Sequence, residues 1–165
     1  MMASAFDPAE RVLTLEQALA FREELRREGK KLVVTNGCFD LLHRGHATYL
    51  AAARAHGDAL LVLVNSDASV RELKGPSRPV VDEYSRAFLL ASLRAVDAAM
   101  VFDGRRCDRE LAALKPDIYV KAGDYTLETI DRTERAALEK AGTKIVFMPF
   151  VPGFSTTGTL KKILG

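Results

Sequence analysis

His43 and His46, separated by Arg44 and Gly45, are the side chains of this 165-residue chain with the most evident chemical use. An imidazole can donate a hydrogen bond or carry a proton charge near neutral pH. Two of them converging on one ligand suit a polyphosphate, or negative charge developing at phosphorus. Gly45 keeps the turn between them free of a side chain, so that backbone and both rings can approach one ligand, and Gly37 does the same nearer the preceding apolar run. The stretch Thr35–His46 leaves that run and enters a helical pattern near His46. A helix start offers free backbone N–H groups and the positive end of the dipole, which favours an anion. The stretch holds neither G-x-x-x-x-G-K-[ST] nor G-x-G-x-x-G, so it is neither a P-loop nor a dinucleotide fingerprint. Spacing alone leaves a second reading open, in which one histidine caps the helix and the other packs beneath it. A zinc centre is disfavoured, because the third histidine, His56, lies at a helix end and Cys38 and Cys107 form no C-x-x-C pair. No metal ligand set is therefore assigned. Cys38 sits where a nucleophile could, but no catalytic His/Asn arrangement accompanies it, and it reads as a loop residue.

The elements that must hold this loop follow from periodicity. Thr14-Leu-Glu-Gln17 is a capping box before a helix with Ala18, Phe21 and Leu25 on one face, stopped at Gly29. Apolar runs at Lys31–Thr35, Ala59–Val64, Ala98–Phe102, Ile118–Lys121 and Lys144–Met148 predict five buried strands. Between them, helices are expected at Ala47–His56, Ala68–Leu73, Asp82–Ala95 with Leu89, Leu93 and Val96 facing inward, Asp108–Leu114 and Leu127–Ala141. A last short helix is expected over Ser155–Leu164. Alternating strands and helices predict an α/β, Rossmann-like three-layer fold: a five-stranded parallel sheet with helices on both faces. No repeat or interior linker divides the chain, so residues 1–165 are expected to form one domain, with residues 1–30 as an extension and helix packed on it. Ligands of such sheets sit beyond the carboxyl ends of the strands.

The loop Asn36-Gly-Cys-Phe-Asp-Leu-Leu-His-Arg-Gly-His46 resembles the signature of the nucleotidyltransferase superfamily that carries an H-x-G-H motif. The resemblance implies that His43 and His46 stabilise the transition state at the α-phosphate of a nucleotide. It also implies that the Cys38-Phe39 backbone and Gly45 lie against that nucleotide, and that Asn36 and Asp40 help position the second substrate. Further segments are similar to those of heptose 1-phosphate adenylyltransferases: Val64–Val70, Lys74–Val80, Ala95–Asp97, Pro116–Tyr125 and Gly153–Thr157. These enzymes also occur as one half of a bifunctional kinase–adenylyltransferase, and with no kinase half in this sequence a stand-alone transferase is expected. By the same resemblance Lys74 closes over phosphates and Arg86 lies near the substrate. Lys121, Gly123 and Asp124 hold the base or ribose, and Ser155, Thr156 and Thr157 hold the triphosphate. From residue types alone, Lys74 is also an ordinary loop lysine, and Ser155–Thr157 is also a helix cap.

Two departures stand out. Ala122 replaces the first glycine of the family's Gly-Gly-Asp-Tyr, and Asp103-Gly-Arg-Arg-Cys-Asp108 is basic where the family tends to be acidic. The expected reaction is transfer of adenylate from ATP, with Mg²⁺ carried by the nucleotide, to a sugar 1-phosphate. Glycerol 3-phosphate cytidylyltransferases and FAD synthetases share the H-x-G-H loop and are the sister activities. A non-catalytic ATP-binding module is the reading from a different class, disfavoured by the presence of His43, His46 and Lys74 together. The formal net charge of +2 and the scattered Lys and Arg give no basic stripe for a nucleic acid. No apolar run approaches the length needed to cross a bilayer, and Met1–Glu10 lacks the basic start and apolar stretch of a secretory signal. A cytoplasmic enzyme is expected, and a homodimer by analogy.

Overall fold

The computed structural model describes residues 6–165. The expectations that fall on residues 1–5, part of the extension and of the non-signal start, lie outside the described residues. Five strands, β1 (Leu32–Gly37), β2 (Ala59–Asn65), β3 (Ala98–Phe102), β4 (Ile118–Ala122) and β5 (Lys144–Met148), form one sheet in the order β3-β2-β1-β4-β5. Every pairing is parallel. Among the described residues, seven α-helices follow a short 3₁₀ turn at Pro8–Arg11: α1 (Leu15–Arg27), α2 (Arg44–Arg54), α3 (Asp67–Lys74), α4 (Glu83–Ala91), α5 (Asp108–Leu114), α6 (Arg132–Ala141) and α7 (Thr156–Leu164).

Side chains alternate across the strands and divide the core into two layers. Leu32, Val34, Leu61, Leu63, Met100 and Tyr119 pack toward α1, α5 and α6. Val33, Leu60, Val62, Val64 and Val120 pack on the opposite face, against Leu50 and Ala53 of α2 and Ala87 and Leu90 of α4. This is the expected Rossmann-like three-layer arrangement. The segment before β1 belongs to it as well. Val12 bridges Ala99, the Leu13 N–H donates to the Ala99 carbonyl, and α1 begins with the anticipated Thr14–Gln17 capping box.

The helix boundaries differ from expectation where a cap decides them. Helix α2 begins at Arg44, three residues earlier than the apolar pattern indicates, because His43 acts as its N-cap. Helix α6 begins at Arg132, not Leu127, because the Asp131 carboxylate accepts the Thr133 and Glu134 N–H groups. Helix α4 ends at Ala91 and turns Arg86, Ala87, Leu90 and Ala91 inward. Leu89 is exposed, contrary to expectation, since the helix is phased to bury Arg86. Arg94 lies beyond the helix end and is exposed.

Candidate active site

The sheet order reverses at β1, whose neighbours are β2 and β4. The loops leaving β1 and β4 therefore diverge to opposite faces and leave a crevice at the carboxyl edge. There the structure has a cleft of about 720 Å³, within the range of small-ligand sites. His43 and His46 both line it. Their rings stack with centroids 3.8 Å apart and 13° between planes. The His43 Nδ1 accepts the His46 backbone N–H at 3.4 Å, capping α2, so in the neutral ring the proton belongs to Nε2. One histidine thus caps and the other packs on it, as the structural reading had it, yet both rings remain part of the cleft wall. The His46 Nδ1 is buried with no hydrogen-bond partner among the described residues. Burial, and secondarily the neighbouring His43, lower the His46 pKa to about 4. Without a bound anion this ring is therefore neutral at neutral pH, with its Nδ1 unpaired.

Close packing explains the glycine between them. A Cβ on Gly45 would lie 2.8 Å from the Phe154 Cβ and 3.0 Å from the His43 ring. Phe154 also stacks on His43 and lies under the Arg44 guanidinium, so the segment before α7 is clamped to the start of α2. Phe39 adopts a left-handed backbone with φ of 47°, uncommon for a large side chain and a mark of a constrained turn. That turn sends its ring inward against Gly37 and edge-on to His46, while Cys38 stays at the cleft. Burial raises the Cys38 thiol pKa, so the thiol is not activated.

Two side chains expected at the second substrate are committed to structure. The Asp40 carboxylate, 3% exposed, accepts the Val80 and Val81 N–H groups and the Arg78 Nε at 2.6 Å. Burial alone would raise its pKa, but the Val81, Val80 and Arg78 donors outweigh it and hold the carboxyl below its ordinary value. Asp40 pins the loop after α3 to the loop after β1. Arg86 is fully buried and outside the cleft lining. Its guanidinium donates to the Val81 carbonyl, the Cys38 carbonyl and Asp67 Oδ1 at 2.9, 2.6 and 2.8 Å. Through the Cys38 carbonyl it braces the histidine loop from behind, and its expected place beside the substrate is corrected. Lys74, exposed at the last turn of α3, does line the cleft, and so do Arg78, Arg105 and Arg106. The basic 103–108 loop therefore faces the site. Arg106 is tied to Asp131, and Ser69 fixes the loop by donating to the Gly104 carbonyl.

At the β4 end, Asn36 and Lys121 line the cleft. Lys121 is not a free cation, because its Nζ lies 3.2 Å from Oε2 of the buried Glu134. Gly123 and Asp124 fall outside the lining. Gly123 has φ of 114° and is covered by the Phe150 ring, 2.9 Å from where a Cβ would stand, so its open face is filled by an aromatic. Asp124 is exposed beside it. Ser155 caps α7 by accepting the Gly158 N–H at 2.9 Å, and Thr156 and Thr157 line the cleft on the same helix start. Sequence reasoning missed Arg78, Tyr119, Glu134 and Phe154. Arg78, Tyr119 and Phe154 lie in segments already similar to the heptose enzymes, and Tyr119 also shares a strand face with Lys121, whereas Glu134 had no local signal.

The model of the cytidylyltransferase-like family matches residues 34–159, a span that contains the whole cleft. The chain belongs to the cytidylyltransferase-like family. Among curated relatives it is 45% identical over 152 residues to the Bifunctional protein HldE of Koribacter versatilis, covering 92% of this chain and 31% of that protein. It is 47% identical over 153 residues to the Bifunctional protein HldE of Helicobacter pylori strain G27, covering 93% and 31%. The chain spans about a third of the length of these relatives. Among solved structures it resembles the lipopolysaccharide core biosynthesis protein of Thermoplasma volcanium, with a TM-score of 0.61 and 30% identity over 74% of this chain and 98% of that one. A pantoate-beta-alanine ligase from Francisella tularensis shares the fold at 15% identity and a TM-score of 0.54. The cytidylyltransferase-like assignment fits a cleft built on two helix N-termini and a histidine pair, with no P-loop. No helix among the described residues is long and apolar enough to cross a membrane.

Proposed function

We propose that this chain is an adenylyltransferase that condenses ATP with D-glycero-D-manno-heptose 1-phosphate to give ADP-heptose and pyrophosphate, a precursor for lipopolysaccharide or surface glycan. The observation that carries the transfer chemistry is the stacked His43–His46 pair at the start of α2, in one cleft with the start of α7. Both helix N-termini favour phosphate oxygens. The acceptor's phosphate oxygen attacks the α-phosphorus of ATP. A new O–P bond forms, the bond from the α-phosphorus to the oxygen bridging to the β-phosphorus breaks, and pyrophosphate leaves with that electron pair. The attacking phosphate is already anionic, so no side-chain nucleophile is required, and catalysis reduces to positioning and charge stabilisation. In this reading the histidines donate to the α-phosphate oxygens as charge develops. Thr156, Thr157 and the α7 N–H groups hold the β- and γ-phosphates, and Lys74 closes over them.

The described residues hold no cluster of three or more His, Cys, Asp or Glu suited to a metal. In this proposal Mg²⁺ would arrive with the nucleotide and offset phosphate charge, and no step depends on a protein-bound ion. The choice of ATP and of the heptose rests on the similarity of Lys74–Val80, Pro116–Tyr125 and Gly153–Thr157 to the heptose enzymes, and the HldE relatives agree with it. A single domain, a cytoplasmic setting and a homodimer belong to the same proposal, and light scattering tests the last. The deciding experiment measures pyrophosphate release from ATP and from CTP against heptose 1-phosphate, glycerol 3-phosphate and FMN. Release with ATP and the heptose phosphate alone supports the proposal, whereas release only with FMN or only with CTP refutes it.

A further inference from the structure

Lys121 and Asn36 belong to a connected polar cluster on the floor of the cleft. Asn36 ends β1, Tyr119 and Lys121 share a face of β4, and Glu134 projects from the first turn of α6. The Tyr119 hydroxyl donates to Asn36 Oδ1 at 2.6 Å. The Lys121 Nζ contacts Asn36 Oδ1 at 3.3 Å, the Tyr119 hydroxyl at 3.3 Å and Glu134 Oε2 at 3.2 Å. Glu134 is 1% exposed, and its other oxygen accepts from the Cys107 thiol at 3.4 Å and backbone N–H at 3.5 Å. Burial first, then the nearby Cys107 and Glu134, push the Tyr119 phenol well above its ordinary range, so it remains a donor.

An ammonium has donors only, and a phenol held protonated beside it donates as well. Both therefore select the carbonyl oxygen of the Asn36 amide and turn its NH₂ the other way. Asn36 lines the cleft, and no protein acceptor for that NH₂ occurs among the described residues. We propose that Glu134, Lys121 and Tyr119 form a positioning relay that fixes the Asn36 amide with both N–H donors toward the cleft, where they receive a sugar hydroxyl of a bound substrate. The hydroxyl class follows from charge. Lys121 is neutralised by Glu134, and Arg78 is likewise paired with Asp40, so this floor offers directional neutral donors, while the cations Lys74 and Arg105 and the two helix starts serve phosphates. The inference rests on the transferase reading for the presence of two sugars, the ribose of ATP and the acceptor ring.

The test uses the ¹⁵N-labelled full chain, with the Asn36 side-chain NH₂ pair identified by its loss in Asn36→Asp. ATP alone, D-glycero-D-manno-heptose 1-phosphate alone and inorganic phosphate are titrated separately. The expected result is a shift of the NH₂ pair with one sugar-bearing probe, which identifies the sugar, and none with phosphate. Tyr119→Phe is then expected to weaken that probe at least fivefold and raise its KM with kcat within about twofold. In the Asn36→Asp background it should cause no further loss, a non-additivity that a merely structural tyrosine would not give. Glu134→Gln is the second variant, expected to change the same KM. An NH₂ pair unmoved by both sugar-bearing probes, or an undiminished Tyr119→Phe effect in the Asn36→Asp background, overturns the relay. Absence of turnover with the sugar phosphate while the NH₂ pair answers ATP removes the acceptor reading and supports the relay.

Discussion

Replacing Arg86 by methionine separates a residue that shapes the site from one that binds substrate. The guanidinium is fully buried and donates to the Cys38 and Val81 carbonyls and to Asp67 Oδ1. Methionine keeps the apolar stem and removes all three donors, leaving two inward-facing carbonyls and a carboxylate without their partner. Breaking a buried pair by removing one member costs about 3–5 kcal/mol. The Asp67 side chain is 23% exposed and regains some water, which favours the lower end, about 3 kcal/mol. For a domain of this size each kcal/mol moves Tm by about 2–4 °C, so Arg86→Met is expected to lower Tm by roughly 6–12 °C. The Cys38 carbonyl lies in the histidine loop, so kcat should fall as well. Thermal unfolding by circular dichroism and initial rates at a temperature where the variant is folded measure both. Lys74→Met is the control, since this exposed lysine should give a Tm within about 2 °C of wild type and a large loss of rate. If Arg86→Met keeps its Tm within about 2 °C while KM for the acceptor phosphate rises, Arg86 is a substrate ligand and the positioning argument is wrong.

Three further outcomes follow from the site. The folded-state pKa of His46, about 4, lies below the ordinary 6.5, so the stability it contributes is complete above pH 6.5 and lost as pH falls toward 4. Tm should decline through that window and His46→Gln should flatten the decline; superimposable profiles would show that burial of the neutral ring does not matter. Gly45→Ala brings a methyl to within 2.8 Å of Phe154 and 3.0 Å of the His43 ring, so urea unfolding should show about 1–3 kcal/mol of destabilisation and kcat should drop about tenfold. Unchanged values for both would mean the two loops part at no cost. Arg105 is exposed on the cleft rim with no ion-pair partner among the described residues. A charge-assisted contact to the acceptor phosphate is worth about 1.5–3 kcal/mol, so Arg105→Ala should raise the acceptor KM about tenfold or more with Tm unchanged; an unaltered KM assigns that loop to the surface alone.

The sequence by itself determined the order of elements, the parallel sheet and the loop that carries the histidine pair. Those features are written in local pattern: unbroken apolar runs for strands covered on both faces, the Thr14–Gln17 box, and two histidines flanking a glycine directly after a strand. Tertiary structure decided which charged side chains at the carboxyl edge are free. Arg86 and Arg78 look alike in the chain, yet α4 buries the first beneath the histidine loop, while the second lines the cleft and is held by Asp40, 38 residues away. Lys121 is a cation in sequence and half of a buried pair in the fold, because α6 brings Glu134 back over β4. The start of α2 moved to Arg44 because His43 is its cap, a reading that spacing alone had left open. Periodicity and caps report interactions within a few residues of the chain. The charge, donor direction and exposure of a site arise from pairs that only the topology of the sheet brings together.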